Sequence, residues 1–297
     1  MTRTFSGRRA RFAAVAAGLA LALLAVVGCQ PRQRLATATS WDEIVDSTRG
    51  TPANCEHAAL PYRDIWIQYR YPTQPGRYPL LVFAHGWNAN PDAYGAFLDD
   101  LASAGYVVAA PVFPVAKTTP CRGNGYAPDI FQQSFDISAV ITRVVTPGSP
   151  VNHLVEPVTA TGVLGHSDGG MTVALMARGA GYHDWRVGAY AEISGAIPAG
   201  VGQVPNQVPV LAVNGWSDTI NNVAWSDRFY NSSLPAKAEY VATGDHTSII
   251  NGGGATTFAT RDAIAAFFDR WIRGDVSANY RWGVASEGAL TSRTEGW

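Results

Sequence analysis

Ser167, Asp218 and His246 are the residues of this chain whose types and spacing could do chemistry together. A serine hydroxyl is a poor nucleophile until a base takes its proton, and the base needs a carboxylate to hold it in one tautomer. Ser167 stands in Gly165-His166-Ser167-Asp168-Gly169, between an apolar strand expected over 158–164 and a small-residue helix opening at 170–177. So sharp a strand-to-helix turn holds the hydroxyl clear of the backbone, at the anion-attracting end of a helix. A Cβ at either flanking glycine would clash as the chain doubles back. Taken alone the G-x-S-x-G pattern is weak in a chain with 30 glycines, where it competes with a plain turn. The partners strengthen it. Asp218 follows an apolar strand over 208–213, and His246 follows another over 238–242. Nucleophile, acid and base thus occur in order, each just past a strand, on the edge of a parallel sheet where ligands collect.

Each partner has a rival reading. Asp218 also fits the N-cap of a helix over 221–230. Asp245 competes for the acid role, but adjacent side chains on a loop rarely point at each other, which favours Asp218. His246 is the one histidine of six placed late enough and after a strand; His57, His153 and His183 lie in less suitable segments. A tetrahedral intermediate also needs preorganised N–H donors. The backbone N–H of Asp168, directly after the serine, is one candidate. The loop after a strand at 80–84 reads His85-Gly86-Trp87-Asn88 and offers the Trp87 N–H as the second. A simple turn curved by Gly86 is the alternative there.

The elements that must position these groups alternate along the chain. Strands are expected over 65–71, 80–84, 106–112 and 187–193, besides those already named. Helices are expected over 91–104, 130–145 and 258–272, the second with Phe131, Phe135, Ile137, Ile141 and Val144 on one side. Buried strands separated by helices predict an α/β fold, a mostly parallel central sheet with helices on both faces. With 297 residues and 47% apolar content, the chain can bury a large core. The organisation predicted is a leader over 1–28, a tether over 29–58, the α/β domain over 59–275 and a tail over 276–297 with Tyr280 and Trp282 available for packing.

A formal net charge of −1, with no basic run beyond the first dozen residues, argues against nucleic acid as a partner. Arg3, Arg8, Arg9 and Arg11 precede an uncharged apolar stretch over 12–28, which ends Val26-Val27-Gly28-Cys29. That stretch is short for a bilayer span. It resembles a bacterial lipoprotein signal, which implies export, a lipidated Cys29 and attachment to a membrane on its extracytoplasmic side. Arg8-Arg9 leaves the general and twin-arginine export routes both open. Cys55 and Cys121 then remain as an even pair in an oxidising compartment. A bridge between them would close a loop of about 65 residues and stabilise by roughly 4 kcal/mol; two separate buried thiols is the other reading. No C-x-x-C or close Cys/His cluster suggests a metal, and Gly252-Gly253-Gly254 lacks the end of a phosphate loop, so no cofactor is expected.

The chain resembles secreted bacterial α/β-hydrolases of the cutinase, polyester-hydrolase and dienelactone-hydrolase group over about 60–273. The likeness rests on HGW at 85–87, AGYVVAAPVF at 104–113, GHSDGG at 165–170, NGWSDTI at 214–220, FYNSSLP at 229–235 and GDHTSIING at 244–252. It implies the α/β-hydrolase fold, Ser167 as nucleophile, Asp218 as acid, His246 as base, and the N–H groups of Trp87 and Asp168 as oxyanion hole. It also implies a carboxylic-ester substrate and an acyl-enzyme, with no cofactor. Two departures stand out. Asp168 replaces the usual Met after the serine, which is unfavourable beside an oxyanion unless the carboxylate is paired or turned away. The aromatic T-P-W segment is replaced by Ser194-Gly195-Ala196-Ile197, although Trp87 and Trp216 offer other aromatic surface. Hydrolysis of a lactone, thioester or amide on the same triad, or a surface-binding lipoprotein without catalysis, are the rival functions. Nothing in the sequence marks an oligomeric state.

Overall fold

The computed structural model describes residues 34–53, 57–117, 129–156 and 161–297. The leader, Cys29, Cys55 and Cys121 lie outside the described residues. In chain order the elements are β1 (Thr37–Asp46), β2 (Arg63–Pro72), β3 (Leu80–Ala84), α1 (Gly95–Ser103), β4 (Val107–Val112), α2 (Ile130–Val145), β5 (Thr161–His166), α3 (Asp168–Arg178), β6 (Val187–Ile193), β7 (Val210–Gly215), α4 (Val223–Ser232), β8 (Lys237–Ala242), α5 (Ser248–Asn251), α6 (Ala255–Trp271), α7 (Ala278–Ser286) and β9 (Ala289–Glu295). Among the described residues, nine strands form one sheet in the order β1-β2-β4-β3-β5-β6-β7-β8-β9. The strands from β4 through β3, β5, β6 and β7 to β8 pair in parallel, and the β1, β2 and β9 pairings are antiparallel.

The central strands are short and buried along their whole length, as parallel strands covered on both faces must be. One core cluster contains Phe97, Leu98, Leu101, Ile264, Phe267 and Phe268, and the other contains Ile137, Val140, Ile141, Val173 and Met176. Thus α1 and α6 cover one face of the sheet, and α2 and α3 cover the other.

Three regions differ from the sequence expectation. Within the expected tether, Thr37–Asp46 is a strand paired with β2 along its full length. Its inner face is only half-buried and largely polar, so it lacks the apolar alternation that marks a strand. Asp42 and Asp46 on that face hold Arg143 and Arg49 at 2.9 and 2.8 Å. The expected tail supplies α7 and the edge strand β9; Trp282 packs on Tyr240 and Trp297, whereas Tyr280 is half exposed. Residues from Arg34 to Trp297 therefore form one unit, wider than 59–275 at both ends. In α2 the buried stripe runs through Ile130, Gln133, Ile137, Val140, Ile141 and Val144. Phe131 and Phe135 sit on the neighbouring stripe, partly exposed, with ring centres 5.7 and 5.8 Å from Tyr182.

Candidate active site

β5 runs directly into α3 through Ser167, which adopts φ 58° and ψ −117°. A positive φ at a side-chain-bearing residue is strained and persists only where the surroundings over-determine it. They do so here. The Ser167 amide donates to the Ile193 carbonyl at 2.9 Å, and its own carbonyl accepts from Met171 N–H at 2.9 Å. Steric contact does the rest: a Cβ on Gly165 would meet the Gly169 backbone, and one on Gly169 would meet the carbonyl of Ala84. Both glycines are required by close approach of backbone rather than by an unusual φ of their own.

His246 Nε2 lies 2.8 Å from Ser167 Oγ, and His246 Nδ1 lies 2.7 Å from Asp218 Oδ2. Asp218 is buried, and its other oxygen accepts from the amides of Ile220 and Asn221 at 2.9 and 2.8 Å. One carboxylate thus both closes its own turn and orients the imidazole, while Asn222 caps α4. The two loops are joined by backbone. Trp216 N–H donates to the Ala242 carbonyl and Ser217 N–H to the Gly244 carbonyl, each at 2.9 Å. Asp245 points elsewhere: it accepts from the amides of Thr247 and Ser248, which hold its carboxyl below the usual range.

The loop after β3 is pinned on both sides of Trp87. His85 Nδ1 donates to the Gly86 carbonyl at 2.8 Å, and His85 Nε2 accepts from Phe113 N–H at 3.0 Å. Burial pulls the His85 pKa down to about 4, which suits a neutral ring with one donor and one acceptor. Asn88 N–H donates to the Ala116 carbonyl at 2.7 Å. Between them, the Trp87 amide has no acceptor among the described residues. It points opposite to the Gly86 carbonyl, because the two share one planar trans peptide. Gly86 packs closely on Ser167, where an added Cβ would lie 3.1 Å from the serine Cβ. The Asp168 amide, at the first position of α3, is likewise without an acceptor among the described residues.

The Asp168 carboxyl is turned into the protein. Its Oδ2 accepts from Gln133 Nε2 on α2 at 3.0 Å, and Gln133 Oε1 accepts from Thr172 Oγ at 2.6 Å. Burial pushes the Asp168 pKa up to about 7. Gln133 escaped the sequence reading; its one signal is a polar residue on a stripe that is otherwise mostly apolar. His166 and Tyr94 escaped as well. His166 lies inside the serine motif, but its ring is buried beside that of His246, at 4.7 Å between centres. Trp87 and Trp216 are 43% and 63% exposed, so neither is core packing.

The sheet, its helices and the serine on a strained strand-to-helix turn define an α/β-hydrolase. A family model described as Chlorophyllase matches residues 46–209, and the chain belongs to the chlorophyllase family. The matched region includes Ser167 and stops before Asp218 and His246. The chain is accordingly an esterase-type hydrolase, acting on carboxylic esters. A solved structure, a ferulic acid esterase from Streptomyces cinnamoneus, is similar in fold, with a TM-score of 0.64 at 21% identity, over 84% of this chain and 93% of that one. No curated protein matches the chain.

Proposed function

We propose that this protein is an exported, lipid-anchored serine hydrolase that cleaves carboxylic esters through an acyl-enzyme on Ser167. The observation that carries the reading is the unbroken chain of Ser167 Oγ, His246 and Asp218 at 2.8 and 2.7 Å. In the proposed reaction Oγ attacks the ester carbonyl carbon and its proton passes to His246 Nε2. The tetrahedral oxyanion is held by the N–H groups of Trp87 and Asp168. Its collapse expels the alcohol, which takes the proton from His246. Water then attacks the acyl-enzyme with His246 as base, releasing the acid and restoring Ser167. Asp218 keeps Nδ1 protonated and stabilises the imidazolium. The Asp168 carboxyl, turned into the protein onto Gln133, does not face the oxyanion.

The exposed Trp87 and Trp216, on the loops that carry the oxyanion amide and the acid, support an open site for esters with bulky apolar groups. The lipid anchor rests on the stretch that ends at Cys29. The chemistry is tested by hydrolysis of p-nitrophenyl esters, from acetate to long acyl chains, by the full chain and by Ser167→Ala. Turnover abolished by the substitution is expected. Turnover that survives it, or a Ser167 that no fluorophosphonate labels, sinks the serine mechanism. The anchor is tested by Cys29→Ser, which should release the protein from the membrane fraction and end incorporation of labelled palmitate.

A further inference from the structure

Three loops meet at the candidate site, and one chain of buried hydrogen bonds passes through all of them. Gly86 N–H, in the oxyanion loop, donates to the Tyr94 hydroxyl at 3.1 Å. The Tyr94 hydroxyl is 3.0 Å from His166 Nδ1, in the serine turn. His166 Nε2 is 2.6 Å from the backbone carbonyl of His246, in the base loop. The direction of every bond is determined. A carbonyl only accepts, so His166 Nε2 carries the proton. Burial lowers the His166 pKa to about 4, so the ring is neutral and Nδ1 is bare. Tyr94 must then donate to Nδ1, which leaves its lone pairs for Gly86 N–H. A charged His166 would break this order, for Nδ1–H would leave the Tyr94 proton with no acceptor in the chain. It would also set a second cation 4.7 Å from the ring of His246, which must become positive during acylation.

We propose that Tyr94 and His166 are positioning residues, which hold the Trp87 amide and the imidazole of His246 in register with Ser167. Neither touches the reacting atoms. Tyr94 fixes the residue before Trp87, and His166 fixes the main chain of His246; both are almost wholly buried, at 4% and 2% exposure. Removing one partner leaves buried polar groups unsatisfied, and the local backbone shifts to relieve them. Misplacement of catalytic groups by about 1 Å costs on the order of 100-fold in rate. The inference rests on the serine mechanism proposed above.

The test compares kcat and KM for a p-nitrophenyl ester in the full chain and in Tyr94→Phe, His166→Leu and His166→Gln, with Ser167→Ala alongside. Rates are expressed per active site titrated by a fluorophosphonate, so that unfolded protein is not counted. Tyr94→Phe and His166→Leu should lower kcat about 10- to 100-fold, with KM within about threefold. His166→Gln keeps a donor near the position of Nε2 and should recover most of the loss seen in His166→Leu. Unchanged kcat per titrated site, a change confined to KM, or a Gln variant no better than Leu overturns the proposal. If Tyr94→Phe yields no titratable sites, the comparison of Gln with Leu decides. Hydrolysis that survives Ser167→Ala overturns the mechanism itself, an outcome distinct from the others.

Discussion

Ser167 and His246 lie 2.8 Å apart and are held by opposite means. The serine is held by shape. Its φ of 58° is enforced by two glycines whose missing Cβ atoms let backbone segments touch, with backbone hydrogen bonds to Ile193 and Met171 beside them. The histidine is held by hydrogen bonds: its ring donates to Asp218, and its carbonyl accepts from His166. The glycines that allow this shape stand within two residues of Ser167, although Gly169 packs on distant Ala84, whereas the histidine's hydrogen bonds draw on partners 28 and 80 positions away. The lesson is one of failure modes: damage to the turn should damage the fold with it, while damage to the histidine's partners should spare the fold.

The largest effect expected is that of Asp218→Asn, which frees His246 to take the wrong tautomer. The value of kcat should fall about 10⁴-fold while the melting temperature stays close to that of the parent. Equal loss of stability and activity would break the contrast. Gly169→Ala comes next and tests the other side. Gly to Ala in a helix ordinarily stabilises by about 0.5–1 kcal/mol. Here the added methyl meets the Ala84 carbonyl, so a fall in melting temperature of about 5–10 °C is expected, with activity lost in step. A rise in melting temperature would show that the turn is not held by shape.

The smallest effect sits where the two regimes join. Asp168 has an ordinary carboxyl pKa near 3.8 when unfolded and holds its proton to about 7 when folded. Between these values the folded state binds more protons, so its contribution to stability is lost as pH rises from about 4 to 7. Asp168→Asn removes that dependence. The melting temperature of the variant relative to the parent should therefore rise by a few degrees between pH 4.5 and pH 8. A flat difference would mean that the carboxyl is not held protonated.

Legibility followed the same division. The central strands could be read because they are unbroken apolar runs, and α2 because it buries apolar residues at a helical period. The turn at Ser167 could be read because its glycines are local. Both edge strands escaped for one physical reason. In β1 the half-buried face carries Ser40, Asp42 and Asp46, and in β9 the sequence ALTSRTE has no apolar face at all. These strands are held by pairing with neighbours and by ion pairs such as Lys237 to Glu295 at 3.2 Å, which leave no periodic trace.

What the sequence determined by itself is the parallel α/β core and the order in which serine, aspartate and histidine follow strands. Apolar runs, helical periodicity and the placing of glycines are written in consecutive letters. Only the tertiary structure decided that Asp218 rather than Asp245 reaches His246, that the Asp168 carboxyl turns to Gln133, and that Tyr94 and His166 join three loops. Those outcomes depend on which buried donor meets which acceptor when distant segments pack, and no residue type encodes its partner.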